Sequence, residues 1–108
     1  MTIELNRDNY ESETSQSEIP VLVDLWGPQC QPCLALMPAV EKMEDDYKGK
    51  IKICKLDVTK NRMTCVRLKV MSVPTFIIYN NGTEQDRLTG QDITENDIRS
   101  AIENVVKG

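Results

Sequence analysis

Apolar and polar positions along the chain follow two alternating periods, which predict strands and helices in turn. Residues 21–26 form a nearly continuous apolar run bounded by Pro20 and Gly27. A short run of this kind between turn residues predicts a strand that is buried on both faces. From about residue 32 to 47 the apolar residues recur at three- and four-residue spacing, which predicts a helix with one buried face.

The second half of the chain continues this alternation. A second inner strand is predicted at residues 50–57, and a shorter and weaker helix at residues 60–70. Residues 75–79 are β-branched and aromatic and predict a strand. The turn at residues 80–82, Asn-Asn-Gly, then favours a hairpin, because Asn and Gly accept positive φ, and residues 84–89 are its expected partner strand.

The last predicted helix has the clearest start. Thr94 is a good N-cap and Asp97 follows three residues later, before an apolar face that runs from Ile98 to Val105. A weak strand near residues 3–5 and a weak helix near residues 8–14 precede the first buried strand.

This order of elements defines a fold class. Strand–helix–strand units imply parallel pairing, and the terminal hairpin adds antiparallel strands. We therefore expect an α/β fold with a central mixed β-sheet flanked by helices on both faces. The 108 residues contain no linker or repeat and are close to the commonest domain size, so residues 1–108 are predicted to form a single domain.

Charge and hydropathy exclude some classes of partner. The net charge is −4 with Lys and Arg scattered along the chain, so we expect neither nucleic acid nor a membrane as partner. No stretch approaches the roughly 18 apolar residues of a membrane span. The first residues show no apolar run after their charges, so no secretory signal is expected and a cytoplasmic location is predicted.

The candidate chemistry lies in the cysteines, since the chain has four of them and no histidine. Cys30-Gln31-Pro32-Cys33 stands where the first buried strand ends and a helix begins. A helix start presents free N–H groups and a positive dipole end, which favour a thiolate, and the thiolate is the form that attacks disulfides. Cys30 lies at the exposed start and is predicted to be the nucleophile, whereas Cys33 falls on the buried face as the resolving thiol.

Other interpretations of the cysteines are weaker. A zinc site would need a second short spacing, which Cys54 and Cys65 do not provide, so no metal is expected. A purely structural disulfide at Cys30 and Cys33 would close a loop too short to constrain the unfolded chain much. Cys54 is expected to be a small buried apolar residue. Cys65, on a short helix near the active face, is the better candidate for oxidation, glutathionylation or a second disulfide, because susceptibility to oxidation follows exposure.

The sequence resembles the thioredoxin family over nearly all of its length. The residues that carry the resemblance are Asp24-Leu25-Trp26-Gly27-Pro28-Gln29-Cys30-Gln31-Pro32-Cys33, Pro38, Val73-Pro74-Thr75, Asn81-Gly82 and Gly90. The resemblance implies the thioredoxin fold, reduction of protein disulfides through a redox-active Cys30–Cys33 pair, and no cofactor. It also implies client proteins with exposed disulfides, an electron donor of the thioredoxin-reductase type, and a monomer.

The resemblance gives further residues a role. Asp24 is a carboxylate inside an apolar strand, so it has either a hydrogen-bonding partner or a raised pKa. The family pattern makes it the proton acceptor for Cys33, with Lys55 as the lysine near that carboxylate. The alternatives are a satisfied core aspartate and a solvated strand lysine. The residues expected at the substrate-binding surface are Trp26, Gln29, Gln31, Val73, a cis Pro74 and Gly90.

The active-site motif departs from the common family pattern. This chain has Gln29-Cys30-Gln31-Pro32-Cys33-Leu34 where the family commonly has Trp-Cys-Gly-Pro-Cys-Lys. We therefore expect a different docking surface and a different reduction potential. Two other functions stay open at this point: a disulfide-forming or isomerising enzyme with the same fold, and a redox-inactive binding module.

Overall fold

A computed structural model describes residues 2–107, and within that range the chain forms five strands, four α-helices and one 3₁₀ turn. The strands are β1 (Ile3–Glu4), β2 (Val21–Trp26), β3 (Lys52–Asp57), β4 (Thr75–Asn80) and β5 (Thr83–Thr89). The helices are α1 (Tyr10–Ser15), α2 (Gln31–Asp46), α3 (Arg62–Leu68) and α4 (Glu95–Lys107), and the 3₁₀ turn is Val58–Lys60.

The five strands form one mixed sheet in the order β1-β3-β2-β4-β5. The central strand β2 is parallel to β3 and antiparallel to β4. The edge strand β1 is parallel to β3, and β5 pairs antiparallel with β4. The predicted α/β class with a mixed sheet is therefore confirmed.

Helices cover both faces of the sheet, each over its own apolar core. On one face, residues from β2, β3 and β4 pack with α2 and α4, among them Leu22, Met43, Ile53, Phe76, Ile98 and Ile102. On the other face, the intervening residues pack with α1 and α3, among them Tyr10, Val23, Leu25, Leu56, Cys65 and Ile77. This alternation follows from the period of two in a strand and fixes which side chains of β2 face α2.

The structure moves the predicted start of β3 and shortens the predicted helix that follows it. The strand predicted from residue 50 begins at Lys52, because the amides of Lys50 and Ile51 both donate to the carbonyl of Tyr47 at the end of α2. The helix predicted over residues 60–70 spans only Arg62–Leu68, because a 3₁₀ turn occupies the residues before it.

Two predicted local signals are confirmed. Asn81 and Gly82 have φ of 55° and 78°, as the hairpin turn between β4 and β5 requires. Thr94 and Asp97 form the reciprocal bonds of a capping box: the Thr94 amide donates to Asp97 Oδ2 at 2.9 Å, and the Asp97 amide donates to Thr94 Oγ1 at 3.1 Å.

Candidate active site

The two motif cysteines form a disulfide at the start of α2, with their Cα atoms 5.2 Å apart. Cys30 is the N-cap residue of this helix and has extended backbone dihedrals. The sequence favours this geometry, because Pro32 in the first turn has no intrahelical N–H bond to lose. The junction predicted from the hydrophobic pattern therefore holds both sulfurs on one turn of a helix tip.

The two sulfurs have different environments. Cys30 is half-buried, and its Sγ accepts a hydrogen bond from the Cys33 amide at 3.2 Å. Cys33 is only 2% exposed. A free helix amide aimed at Cys30 Sγ would stabilise a thiolate there once the disulfide is reduced. A sulfur atom of a binding partner can therefore reach Cys30, whereas Cys33 is buried beneath the surface.

Asp24 is buried in the middle of β2, on the face that α2 covers. It shares this face with Leu22, and its register neighbours are Lys55 on β3 and Phe76 on β4. Its Oδ1 atom is buried and has no hydrogen-bond partner within residues 2–107. Burial raises the pKa of Asp24 to about 7, although the positive charge of Lys55 acts in the opposite direction. The raised-pKa interpretation of this residue is therefore the one that the geometry supports.

Lys55 lies beside Asp24 without forming an ion pair with it. The ammonium of Lys55 lies 5.7 Å from the centroid of the Trp26 ring, a distance within reach of a cation–π contact. No salt bridge joins Lys55 to Asp24 in the described part of the chain. Lys55 is half-buried, so it is not a freely solvated strand lysine. Because no ion pair forms, the charge of Lys55 lowers the pKa of Asp24 less than burial raises it.

Residues from three other segments meet at Gly27, beside the disulfide. A Cβ at this glycine would lie 4.0 Å from Cys30 Cβ, 4.0 Å from Val73 Cγ2 and 3.8 Å from Val58 Cγ2. The Val73–Pro74 peptide bond is cis, as the family resemblance implied. Because Val73 and Cys30 both approach Gly27, Val73 lies close to the redox pair.

The remaining residues predicted for substrate binding occupy the same end of the sheet. The Gly90 amide donates to the Pro74 carbonyl at 3.2 Å, which joins the end of β5 to the loop before β4. Gln29 and Gln31 are exposed on either side of Cys30. Trp26 is partly exposed and has a buried indole N–H without a partner among residues 2–107. Contact of these residues with a substrate stays a prediction.

Cys54 and Cys65 are both free thiols buried in the core on the α1 and α3 side of the sheet. Burial raises the pKa of Cys54 to about 12 and also raises that of Cys65. The expectation for Cys54 is confirmed. The argument that made Cys65 a candidate for oxidation is wrong, because it needed an exposed thiol, and Cys65 is 8% exposed on the inner face of α3.

Sequence reasoning missed Val58 at this site. Val58 follows β3 directly, and the carboxyl ends of the parallel strands β2 and β3 meet at one edge of the sheet. A functional site is favoured at such an edge. An apolar residue directly after the second inner strand was the signal that could have identified it.

No helix within residues 2–107 is long and apolar enough to span a membrane.

Comparison with known proteins agrees with the geometry of the disulfide site. A family model described as Thioredoxin matches residues 1–104. The thioredoxin of Acetoanaerobium sticklandii is 38% identical over 103 residues, which cover 95% of this chain and 98% of that protein. The thioredoxin of Staphylococcus haemolyticus is 39% identical over 89 residues, which cover 82% and 85% of the two chains.

A third relative is similar over most of the chain. The thioredoxin of Synechocystis sp. is 34% identical over 89 residues, which cover 82% of this chain and 83% of that protein. Together with the disulfide at the tip of α2, these findings support the reduction of protein disulfides among the functions that the sequence left open. The chain is a thiol–disulfide oxidoreductase that belongs to the thioredoxin family.

Proposed function

We propose that Cys30 and Cys33 divide the reduction of a client disulfide into two exchanges. The Cys30 thiolate attacks one sulfur of the client disulfide, forms a mixed disulfide and releases the other client sulfur as a thiolate. The Cys33 thiolate then attacks Cys30 Sγ, closes the Cys30–Cys33 disulfide and releases the second client thiolate. Two electrons pass to the client. The observation that carries these roles is the asymmetry of the pair, since Cys30 accepts a helix N–H at an accessible position while Cys33 is buried.

Asp24 is proposed as the proton acceptor that prepares Cys33 for the second exchange. It lies under α2 on the same sheet face, and its pKa of about 7 lets it exchange a proton near neutral pH. Lys55 is a positioning residue in this proposal, because its charge lowers the pKa of Asp24 against the larger effect of burial. An ordinary surface aspartate would be too weak a base for a buried thiol.

A client is proposed to bind across the end of the sheet that holds the disulfide. The supporting geometry is the approach of Val73 to Gly27 and the bond between Gly90 and Pro74. Trp26, Gln29 and Gln31 complete this surface. The matching relatives also support a reductase of the thioredoxin-reductase type as the donor that restores the dithiol. Action as a monomer in the cytoplasm stays a prediction, which sedimentation analysis and cell fractionation would test.

Turnover of a protein disulfide tests the proposed roles. The reduction of insulin is followed with dithiothreitol as the electron source, and then with NADPH and a purified bacterial thioredoxin reductase. Cys30→Ser should reduce the rate to the uncatalysed background in both assays, because the attacking sulfur is gone. Cys65→Ala is the matched control, since it removes a thiol away from the helix tip. Equal rates for Cys30→Ser and the wild type would end the proposal.

The role of Asp24 has its own readout. The rate of the second exchange in the wild type should rise through pH 7 as the carboxyl loses its proton. Asp24→Asn should slow that exchange and remove this step from its pH–rate profile. A merely structural role would lower the rate at every pH and leave the shape of the profile unchanged.

A further inference from the structure

Although the net charge of this protein is negative, one long segment of the chain contains no carboxylate side chain. Residues 58–83 contain four cationic residues and no Asp or Glu, so the segment carries a charge of +4. The rest of the chain has nine cationic residues and 17 carboxylates and carries −8. The cations of the segment are Lys60, Arg62, Arg67 and Lys69, all of them exposed.

These four cations have no anionic partner within the described residues. The salt bridges there join other residues, such as Lys52 with Glu13 and Arg99 with Asp46. The nearest carboxylate in sequence, Asp57, is buried and accepts hydrogen bonds from the Thr59 amide and hydroxyl at 2.9 and 2.6 Å. The charges of the segment are therefore available to a binding partner.

The same segment holds the large apolar side chains that are exposed in the described structure. Met63 and Val66 are each 66% exposed and Met71 is 93% exposed. On α3 the positions 62, 63, 66 and 67 are exposed, while 64 and 65 are buried. Since residues three and four apart are neighbours on a helix, Met63 and Val66 lie side by side between Arg62 and Arg67. We call this outer surface, Arg62, Met63, Val66 and Arg67, the α3 face.

A depression of about 550 Å³ adjoins the α3 face on the side of the 3₁₀ turn. Its lining includes Lys60, Arg62, Met63, Arg67 and Arg7, and no carboxylate. Arg7 approaches Asp8 at 3.8 Å, and both side chains of that pair are largely exposed. An exposed pair at this distance is weak, so Arg7 adds to the positive charge of the depression.

The cationic segment is continuous with the redox site. It starts at Val58, which lies beside Gly27 and the disulfide, and it returns there at Val73. Between these two contacts the chain forms the 3₁₀ turn, α3 and the loop that carries Met71. A partner whose disulfide reaches Cys30 would therefore extend over residues of this segment.

We propose that the α3 face and the adjoining depression select disulfide clients that carry acidic residues and an apolar side chain next to their reactive disulfide. The apolar residue of the client packs against Met63 and Val66, and its carboxylates lie against Arg62, Arg67 and Lys60. Charge complementarity speeds the encounter and orients the client disulfide toward Cys30. The proposal rests on the exchange chemistry of Cys30 described above and adds a substrate class to it.

The test uses two synthetic peptides that each contain one disulfide and a leucine beside it. One peptide has four flanking glutamates and the other has glutamines at the same positions. The second-order rate of reduction by the reduced full-length protein is measured by stopped flow at low and high salt. The wild type should reduce the acidic peptide about 3- to 10-fold faster at low salt, and about 0.5 M salt should remove most of this preference.

Charge reversal on the α3 face provides the decisive variant. Arg62→Glu with Arg67→Glu should abolish or invert the preference while leaving the rate for the glutamine peptide unchanged, which also shows that the variant is folded. Lys48→Glu with Lys50→Glu is the matched control, because it changes the net charge equally. These exposed lysines lie between the end of α2 and the start of β3, at the opposite end of the sheet from Cys30. This control should keep the preference.

Other results would overturn the proposal. Equal rates for the two peptides, or a preference that survives charge reversal of the α3 face, would show that these arginines do not select clients. Reduction of neither peptide would remove the exchange chemistry itself, and the proposal with it. Self-association that is lost in the reversed variant, or binding of the wild type to anionic phospholipid vesicles, would assign the surface to a second copy or to a membrane instead.

Discussion

Replacement of Asp24 by asparagine should make the oxidised protein more stable at neutral and alkaline pH. Asp24 is 4% exposed, and its Oδ1 atom lacks a hydrogen-bond partner within residues 2–107. Burial raises the pKa of this carboxyl from 3.8 to about 7. The folded state therefore has an unfavourable ionised group above pH 7. Asparagine keeps the shape of the side chain and removes the charge.

The sign and size of the effect follow from proton linkage. Below pH 3.8 the carboxyl of Asp24 is protonated in both the folded and the unfolded state, so it does not make stability depend on pH. Between 3.8 and about 7 the unfolded chain has lost this proton and the folded chain keeps it, so the free energy of unfolding falls as the pH rises. At about 1.4 kcal/mol per pH unit, the total reaches about 4 kcal/mol above pH 7.

Chemical denaturation across pH measures this effect directly. Urea unfolding of the oxidised wild type and Asp24→Asn at intervals from pH 4 to pH 8 should give nearly equal stabilities near pH 4. Asp24→Asn should be more stable by up to about 4 kcal/mol at pH 8. Asp45→Asn, an exposed carboxylate on α2, should follow the wild type throughout. A gap between Asp24→Asn and the wild type that stays constant with pH would refute the reasoning.

Three further substitutions test the same physical account. Lys55→Met should move the pH at which Asp24 loses its proton upward, because the charge of Lys55 lowers this pKa. An unchanged or lower midpoint in the stability profile would contradict this. Tyr10→Phe should lower the free energy of urea unfolding by about 1–2 kcal/mol, because the buried Tyr79 hydroxyl loses its hydrogen-bond partner at 2.7 Å. An unchanged free energy of unfolding would contradict this and show that water replaces the lost hydroxyl. Thr94→Ala should cost about 1 kcal/mol through loss of its cap at the start of α4, whereas Thr94→Ser should restore most of that, and equal values for both would argue against the cap.

The order of elements and the fold class could be predicted from the hydrophobic pattern, because each element has a strong local signal. The run at residues 21–26 became β2 without a shift, and the Asn81-Gly82 turn has the positive φ values that these residues permit. The start of β3 could not be predicted, because Ile51 is apolar and buried like a strand residue but its amide donates to the carbonyl of Tyr47 at the end of α2. Local periodicity does not reveal which carbonyl accepts a hydrogen bond from a backbone amide.

The position of the cysteine pair could also be predicted, since a strand end followed by a helix pattern places it at a helix tip. The position of Lys55 next to Asp24 was implied by the family resemblance and not by the hydrophobic pattern, because it depends on the register of β2 against β3, which that pattern does not specify. The burial of Cys65 was missed: the structure buries Cys65 and leaves the larger apolar side chains of Met63 and Val66 on the outer face of α3. The periodicity of a seven-residue helix is too short to decide which face is inward.

Trapping of the mixed disulfide tests most directly the claim that Cys30 attacks and Cys33 resolves. Reduced Cys33→Ser and Cys30→Ser are each mixed with a disulfide-containing protein, quenched with acid and analysed by intact mass spectrometry and peptide mapping. Cys33→Ser should accumulate a covalent adduct at Cys30 that dithiothreitol releases, and Cys30→Ser should form almost none, because Cys33 is buried. An adduct that forms at Cys33 as fast as at Cys30 would contradict the account.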